Sequence, residues 1–214
     1  MKKTLFSITS LALSALLFPM QGAAQGTNAY KGHELFDTYC FVCHGTSGKG
    51  DGPLASKMEK IPANLTDKNR MSKRSKKDLF NIVKGTDTHK INGAMPQWGY
   101  VLSDPDINAV VAYLTFLSDS DEALPGDPHM GEEIYENSCS ACHGKHGRGD
   151  GAMANILPMK PADHTKAGAV GKMSNQQLIA TITEGKGGYM PGWKNLLSAD
   201  EIAAVASYIR LLSY

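Results

Sequence analysis

The apolar positions of this chain recur at helical spacing, and no segment shows the alternation of a convincing strand. In the last helical segment of the first half, for example, Ile107, Val110 and Leu114 share one face. Helices are predicted at three places in each half of the chain: about 31–39, about 75–85 and from Ser103 onward, then about 131–138, about 174–185 and from Ser198 onward. The pattern predicts an all-α fold.

The two halves of the chain are copies of one module. Cys40 matches Cys139 at an offset of 99 residues, and the match includes the glycine-rich segments 48–52 and 147–151. The offset falls to 95 after the middle helix, because the first copy has extra residues at 86–93. A period near one hundred residues makes each copy a whole domain and not a solenoid repeat. We predict domains at 25–118 and 129–214, joined by a linker at 119–128.

The N-terminus has the features of a secretory signal peptide. Lys2 and Lys3 precede an apolar stretch of about fifteen residues, and small residues follow up to Ala24. We therefore predict a signal peptide over residues 1–24 and export to the periplasm after its cleavage. The alternative, without cleavage, is that the same segment anchors the chain in a membrane. A formal net charge of +1 gives no indication of nucleic-acid binding.

Each module contains the motif Cys-x-x-Cys-His, which is the attachment signal of c-type haem. The two cysteines form thioethers with the haem, and the histidine is the proximal iron ligand. Zinc sites usually place two Cys-x-x-Cys pairs about 15–20 residues apart, and a redox dithiol needs a strand–helix context that is missing here. We predict two covalently bound haem c groups, held by Cys40, Cys43 and His44 and by Cys139, Cys142 and His143.

A second shared motif, Met-Pro-x-Trp, follows in each module. Met95 and Met190 are the predicted second iron ligands, because the adjacent proline restricts the loop that must hold the sulfur. His89, in the extra residues of the first copy, is a rival to Met95. Trp98 and Trp193 either pack in the core or donate the indole N–H to a haem propionate. The remaining histidines have no match in the other copy and are expected at the surface: His33, His129, His146 and His164.

These motifs resemble those of the class I c-type cytochromes, and the resemblance covers the chain from residue 25 onward. The duplicated form is similar to the dihaem cytochromes of the c-four kind. The resemblance implies two tandem domains, each wrapped around one haem, with the haems close enough to exchange electrons. It also implies a crossing of the first and last helix of each module, carried by Gly32, Phe36 and Tyr113 and by Gly131, Tyr135 and Tyr208.

The predicted function is that of a periplasmic electron carrier in a respiratory chain, and not of an enzyme. With histidine and methionine on both irons, no open position is left for a substrate. The expected partners are redox proteins, namely an electron donor and an acceptor such as a membrane oxidase or a periplasmic dehydrogenase. Two alternatives are a dihaem enzyme of the peroxidase or thiosulfate-oxidising type, and a dedicated cytochrome subunit of a larger oxidoreductase.

A run of basic residues distinguishes the first module from the second. It is either a solvated helix start or a docking patch that attracts an acidic redox partner. The run consists of Lys68, Arg70, Lys73, Arg74, Lys76 and Lys77.

Overall fold

The computed structural model describes residues 29–86, 95–166 and 170–214, and the chain is helical there, which confirms the all-α prediction. The predicted signal peptide and His89 lie outside the described residues. The first module contains α1 (Ala29–Tyr39), α2 (Phe41–His44), α3 (Lys68–Met71), α4 (Lys76–Lys84) and α5 (Asp104–Asp119). The second contains α6 (Pro128–Ser138), α7 (Ser140–His143), α8 (Asn175–Glu184) and α9 (Ala199–Leu212).

The middle and last helices of both modules begin with a capping box. At the start of α9, the Ser198 N–H donates to the Glu201 carboxylate at 2.7 Å, and the Glu201 N–H donates to Ser198 Oγ at 3.3 Å. Such a cap satisfies backbone donors that have no partner within the helix, and a capping side chain contributes about 1 kcal/mol. The equivalent pairs are Ser75 with Asp78, Ser103 with Asp106, and Ser174 with Gln177.

In each module the first helix crosses the last at a glycine. A Cβ atom on Gly32 would lie 1.9 Å from the carbonyl oxygen of Ala109, and one on Gly131 would lie 2.0 Å from that of Ala204. The backbones of α1 and α5, and of α6 and α9, therefore approach as closely as they do only because these residues have no side chain. Buried aromatic pairs complete the crossings: Phe36 with Tyr113, and Tyr135 with Tyr208.

The two modules contact each other through α1, α6 and α9. The Tyr30 hydroxyl donates to the carboxylate of Glu132 at 2.6 Å, and the Tyr30 ring packs edge-on against Tyr208 with centroids 4.8 Å apart. The connecting segment lies along the second module, where the Gly126 N–H donates to Ser207 Oγ at 2.9 Å. The contact between modules thus combines aromatic packing with buried and half-buried polar groups.

Candidate functional site

The Cys-x-x-Cys-His motif of each module forms a tight turn directly after the first helix. In the first module α1 ends at Tyr39, and the His44 N–H donates to the carbonyl of Cys40 at 2.9 Å. The second module repeats this turn, with the His143 N–H donating to Cys139 at the same distance. One helical turn therefore brings both thiols and the imidazole of a module together.

A backbone carbonyl orients the histidine ring in each module. His44 Nδ1 lies 3.1 Å from the carbonyl oxygen of Ala63, and His143 Nδ1 lies 3.1 Å from that of Ala162. Because a carbonyl can only accept, Nδ1 carries the proton and Nε2 keeps its lone pair. Burial lowers the pKa of both histidines, and the hydrogen bond opposes this shift. Both rings therefore favour the neutral form that can bind iron.

The glycine-rich loop holds this carbonyl in position. Gly50 has a φ of 81°, and a Cβ atom there would lie 2.3 Å from the carbonyl oxygen of Pro62. Its N–H donates to the His44 carbonyl at 2.8 Å, while the Leu65 N–H donates to Gly48 at 2.7 Å. The loop thus binds both the end of the motif and the segment that contains the accepting carbonyl. The second module has the same arrangement at Gly147, Gly149 and Pro161.

A cavity of about 220 Å³ in the first module brings its two motifs together. Cys40 and His44 line it along with Met95 and Trp98, whose ring lies 5.4 Å from that of Tyr39. Two thiols, one imidazole nitrogen and one thioether in apolar surroundings are the donor set that haem c needs, so the residues fit this group. Much of the remaining lining is aliphatic: Leu65, Leu79, Ile82, Val83, Val110 and Leu114.

In the second module a short hairpin turn positions the methionine. Lys186 and Met190 exchange two backbone hydrogen bonds of 3.1 Å, and Gly187 and Gly188 close the turn with positive φ angles. The Trp193 N–H then donates to a carbonyl of α8, that of Ile182, at 3.1 Å. Met190 and Trp193 both pack against the core of the module. In the first module, residues 87–94 before Met95 lie outside the described chain.

The expectation that the unmatched histidines lie at the surface is wrong for His164 and His33, which are buried. The His164 ring stacks on His143 with centroids 4.3 Å apart, and its Nδ1 forms a 3.2 Å hydrogen bond with the Tyr135 hydroxyl. Burial lowers the pKa of His164 to about 3, so the ring is neutral. At the offset of 99 residues, His164 aligns with Leu65 and Tyr135 aligns with Phe36. This alignment with apolar residues was the signal that could have indicated a buried His164.

The basic run of the first module does not form one uniform surface. Arg70 and Arg74 line the cavity, while Lys68 pairs with Asp121 of the connecting segment. The other three side chains of the run are exposed and take part in neither of these contacts: Lys73, Lys76 and Lys77.

Comparison with known proteins identifies relatives over most of the chain. The family described as "Cytochrome C oxidase, cbb3-type, subunit III" matches residues 27–114 and again 126–209. The cbb3-type cytochrome c oxidase subunit FixP of Azorhizobium caulinodans is 28% identical over 189 residues, which cover 85% of this chain and 59% of that protein. FixP of Bradyrhizobium diazoefficiens is 29% identical over 190 residues, covering 85% and 60%.

A shorter relative matches at single-module size. Cytochrome c6 of Synechocystis sp. is 34% identical over 87 residues, which cover 41% of this chain and 67% of that protein. The chain itself spans about 60% of the length of the two FixP proteins.

The predicted localisation, a protein released into the periplasm by signal-peptide cleavage, is wrong. The relatives are named as subunits of cbb3-type cytochrome c oxidases. A basic start followed by an apolar stretch is shared by cleaved signals and by retained anchors, so this pattern could not distinguish them. Within the described residues, no helix is long and apolar enough to cross a membrane.

The tandem match confirms the predicted two cytochrome c domains and the two haem c groups. Cytochrome subunits of an oxidase carry electrons and do not catalyse the reaction, so the prediction of an electron carrier that is not an enzyme is confirmed as well. The family match covers both modules, in agreement with the duplicated haem motif and the glycine crossings. The chain belongs to the family of cbb3-type cytochrome c oxidase subunit III, a dihaem c-type cytochrome with two tandem cytochrome c domains.

Proposed function

We propose that this chain passes electrons from a redox donor to an oxidase in a respiratory chain, using the haem of each module in turn. One observation carries the proposal: both modules place a thiol pair, a carbonyl-oriented histidine and a methionine loop on the same scaffold. Two equivalent sites in one chain, joined through α1, α6 and α9, suit a relay of single electrons. The acceptor is proposed from the names of the relatives.

The proposed haem contacts follow the two motifs. In each module the cysteines would form the thioethers, and histidine Nε2 and the methionine sulfur would hold the iron. The tryptophans would lie at the haem edge. These residues belong to modules at 25–118 and 129–214, with the linker at 119–128. The ligand sets are Cys40, Cys43, His44 and Met95, then Cys139, Cys142, His143 and Met190, with Trp98 and Trp193 beside them.

The residues of the chain determine how well such a centre works. When bound, haem supplies an iron that gains and loses one electron. The carbonyls of Ala63 and Ala162 prevent rotation of the histidine rings, so little rearrangement accompanies electron transfer. The aliphatic part of the lining lowers the polarity around the site, and a thioether ligand favours ferrous iron, so both raise the reduction potential.

The names of the relatives favour a dedicated oxidase subunit over a freely diffusing shuttle. Purification from native membranes with an affinity tag on the C-terminus distinguishes the two roles. A dedicated subunit should co-purify with an oxidase in a fixed ratio through gel filtration. Recovery of the chain alone, with rapid reduction by added donors, would favour the shuttle. Readily formed carbon monoxide adducts at one haem of the wild-type chain would instead support the enzyme alternative.

The ligand assignment is tested by mass and potential. The haem-loaded chain should retain two haems after denaturation, because thioethers survive unfolding. Met95→His and Met190→His should each lower the potential of one haem by a substantial part of the roughly 0.8 V range that axial ligands span. Met153→His, at an exposed methionine outside both motifs, is the control and should change neither potential. If both haem potentials are unchanged in Met190→His, Met190 is not an iron ligand.

A further inference from the structure

Three metal-ligating side chains meet where the two modules contact each other, and none of them lines the haem cavity. His33 and Asp37 belong to α1 of the first module, and His129 belongs to α6 of the second. His33 Nδ1 lies 3.5 Å from Asp37 Oδ2, and His129 Nε2 lies 3.9 Å from the same oxygen. All three ligand atoms fall within 4.8 Å of one another. The cluster therefore converges on one point between the modules.

The Nδ1 atom of His33 is buried without a hydrogen-bond partner among the described residues. His33 is only 9% exposed, and its Nδ1 has no hydrogen-bond partner within the part of the chain that the structure describes. Leaving a buried polar atom without a partner costs about 1–3 kcal/mol. Burial lowers the pKa of His33, while the charge of Asp37 opposes this shift. A neutral imidazole nitrogen directed at a carboxylate is suited to share a cation with it.

The hydrogen bonds around His129 leave its Nε2 atom free to bind a metal ion. The Tyr30 hydroxyl donates its proton to Glu132 at 2.6 Å, so its oxygen accepts from His129 Nδ1 at 3.2 Å. The proton is therefore on Nδ1, and Nε2 presents a lone pair towards Asp37. Metal-binding histidines typically donate the other ring N–H to an oxygen in this manner, which fixes both the tautomer and the ring orientation.

We propose that His33, Asp37 and His129 bind a divalent transition-metal ion, with Zn²⁺ as the best match, and that this ion fastens the two modules together. Two imidazoles and a carboxylate suit zinc and its neighbours, and bonds of about 2.0–2.1 Å place tetrahedral ligands roughly 3.3 Å apart. The observed 3.5 and 3.9 Å separations need only small side-chain movements. The side chain of His129 is 48% exposed, which provides an entry path and room for a water ligand.

Calorimetric titration of the haem-loaded, EDTA-treated chain with ZnCl₂ tests the site. We expect one Zn²⁺ per chain, with binding at least tenfold weaker in Asp37→Asn and His129→Asn. We choose His129 over His33 for substitution because His129 is exposed, so its replacement is less disruptive to folding. His146→Asn, at a histidine outside the cluster, is the matched control and should bind as the wild type does. Haem content and spectra should be the same in all variants, so lost zinc binding cannot come from lost haem.

Two results would overturn the proposal: no zinc binding by the wild-type chain, or equal binding by wild type and His129→Asn. X-ray absorption at the zinc edge, which is separate from that of iron, should show two imidazoles and an oxygen in the first shell. Zinc should also slow proteolysis within residues 119–128 of the wild type and leave His129→Asn unaffected. If zinc binds at the cluster but proteolysis is unchanged, the fastening role is wrong.

Discussion

The proximal histidine has apolar neighbours in the first module and a polar pair in the second. His44 lies near Phe36, with ring centroids 6.5 Å apart, and Leu65 lines the same cavity. In the second module the residues at the equivalent positions are Tyr135 and His164, which bind each other, and His164 stacks on the proximal ring. Both positions differ together, because either polar group alone would be buried without its partner. The interiors of the two modules thus differ by a coupled pair of residues.

The modules also differ in regions away from the proximal histidine. The second module closes its methionine loop with a two-glycine turn, while the first copy is longer there, since the offset between the copies falls from 99 to 95. The middle helix of the first module begins with exposed Lys76 and Lys77, whereas Asn175 and Gln176 stand at the equivalent positions of the second. These differences concern the distal loop and the surface, so the two haems should differ in potential and in accessibility to partners.

Breaking one helix crossing should destabilise the chain more than any other change considered. In Gly131→Ala, the new Cβ atom would lie 2.0 Å from the carbonyl oxygen of Ala204. This clash can be relieved only if α6 and α9 move apart. We expect the second module to lose about 3 kcal/mol or more of unfolding free energy. Denaturant titration followed by the haem absorbance should show one module unfolding early. Gly188→Ala, where no atom lies within 4 Å, is a milder comparison that adds backbone strain without a clash.

The coupled pair of the second module gives a smaller effect on stability. Tyr135→Phe removes the hydroxyl that pairs with buried His164 and should cost about 1–3 kcal/mol. Tyr135→Phe combined with His164→Leu reproduces the residues of the first module and should cost less than the single change. Denaturation of both variants measures the difference. A double variant that is less stable than the single one would show that stacking on His143, and not the hydrogen bond, is the main contribution.

The same double variant should raise the potential of the second haem. Ferric haem has one more positive charge than ferrous haem, so replacing polar neighbours by apolar ones disfavours the oxidised form. Spectroelectrochemical titration resolves the two potentials. The reciprocal change, Phe36→Tyr with Leu65→His, should lower the potential of the first haem. Shifts of the same sign in both variants would contradict this explanation of the difference between modules.

Replacing the exposed lysines should change the behaviour of the protein least. Lys73, Lys76 and Lys77 replaced by glutamate should slow electron transfer with an acidic partner at low ionic strength. The difference should shrink as added salt shortens the screening length to about 8 Å at physiological strength. Stopped-flow kinetics measures the rates, and both haem potentials should be unchanged because Arg70 and Arg74 are left in place. Equal rates for variant and wild type in low salt would leave these lysines as a solvated helix start.

The three main helices of each module, their caps and the haem motifs could be predicted from the order of residues alone. Ser75, Ser103, Ser174 and Ser198 each cap a helix through a residue three positions later. The motif cysteines and histidine are similarly close together. Such features depend on residues within one or two helical turns, so the order of residues is enough to specify them. The duplication adds a second copy that tests each assignment.

Contacts between residues far apart in the chain became visible only in the folded structure. It assigned the carbonyl of Ala63 to His44, buried His164 against His143, and directed Arg74 to the cavity. It also brought His33 and His129 together from different modules. These contacts depend on how helices and loops pack across many residues of chain, and a local pattern of apolar and polar positions contains no information about that packing.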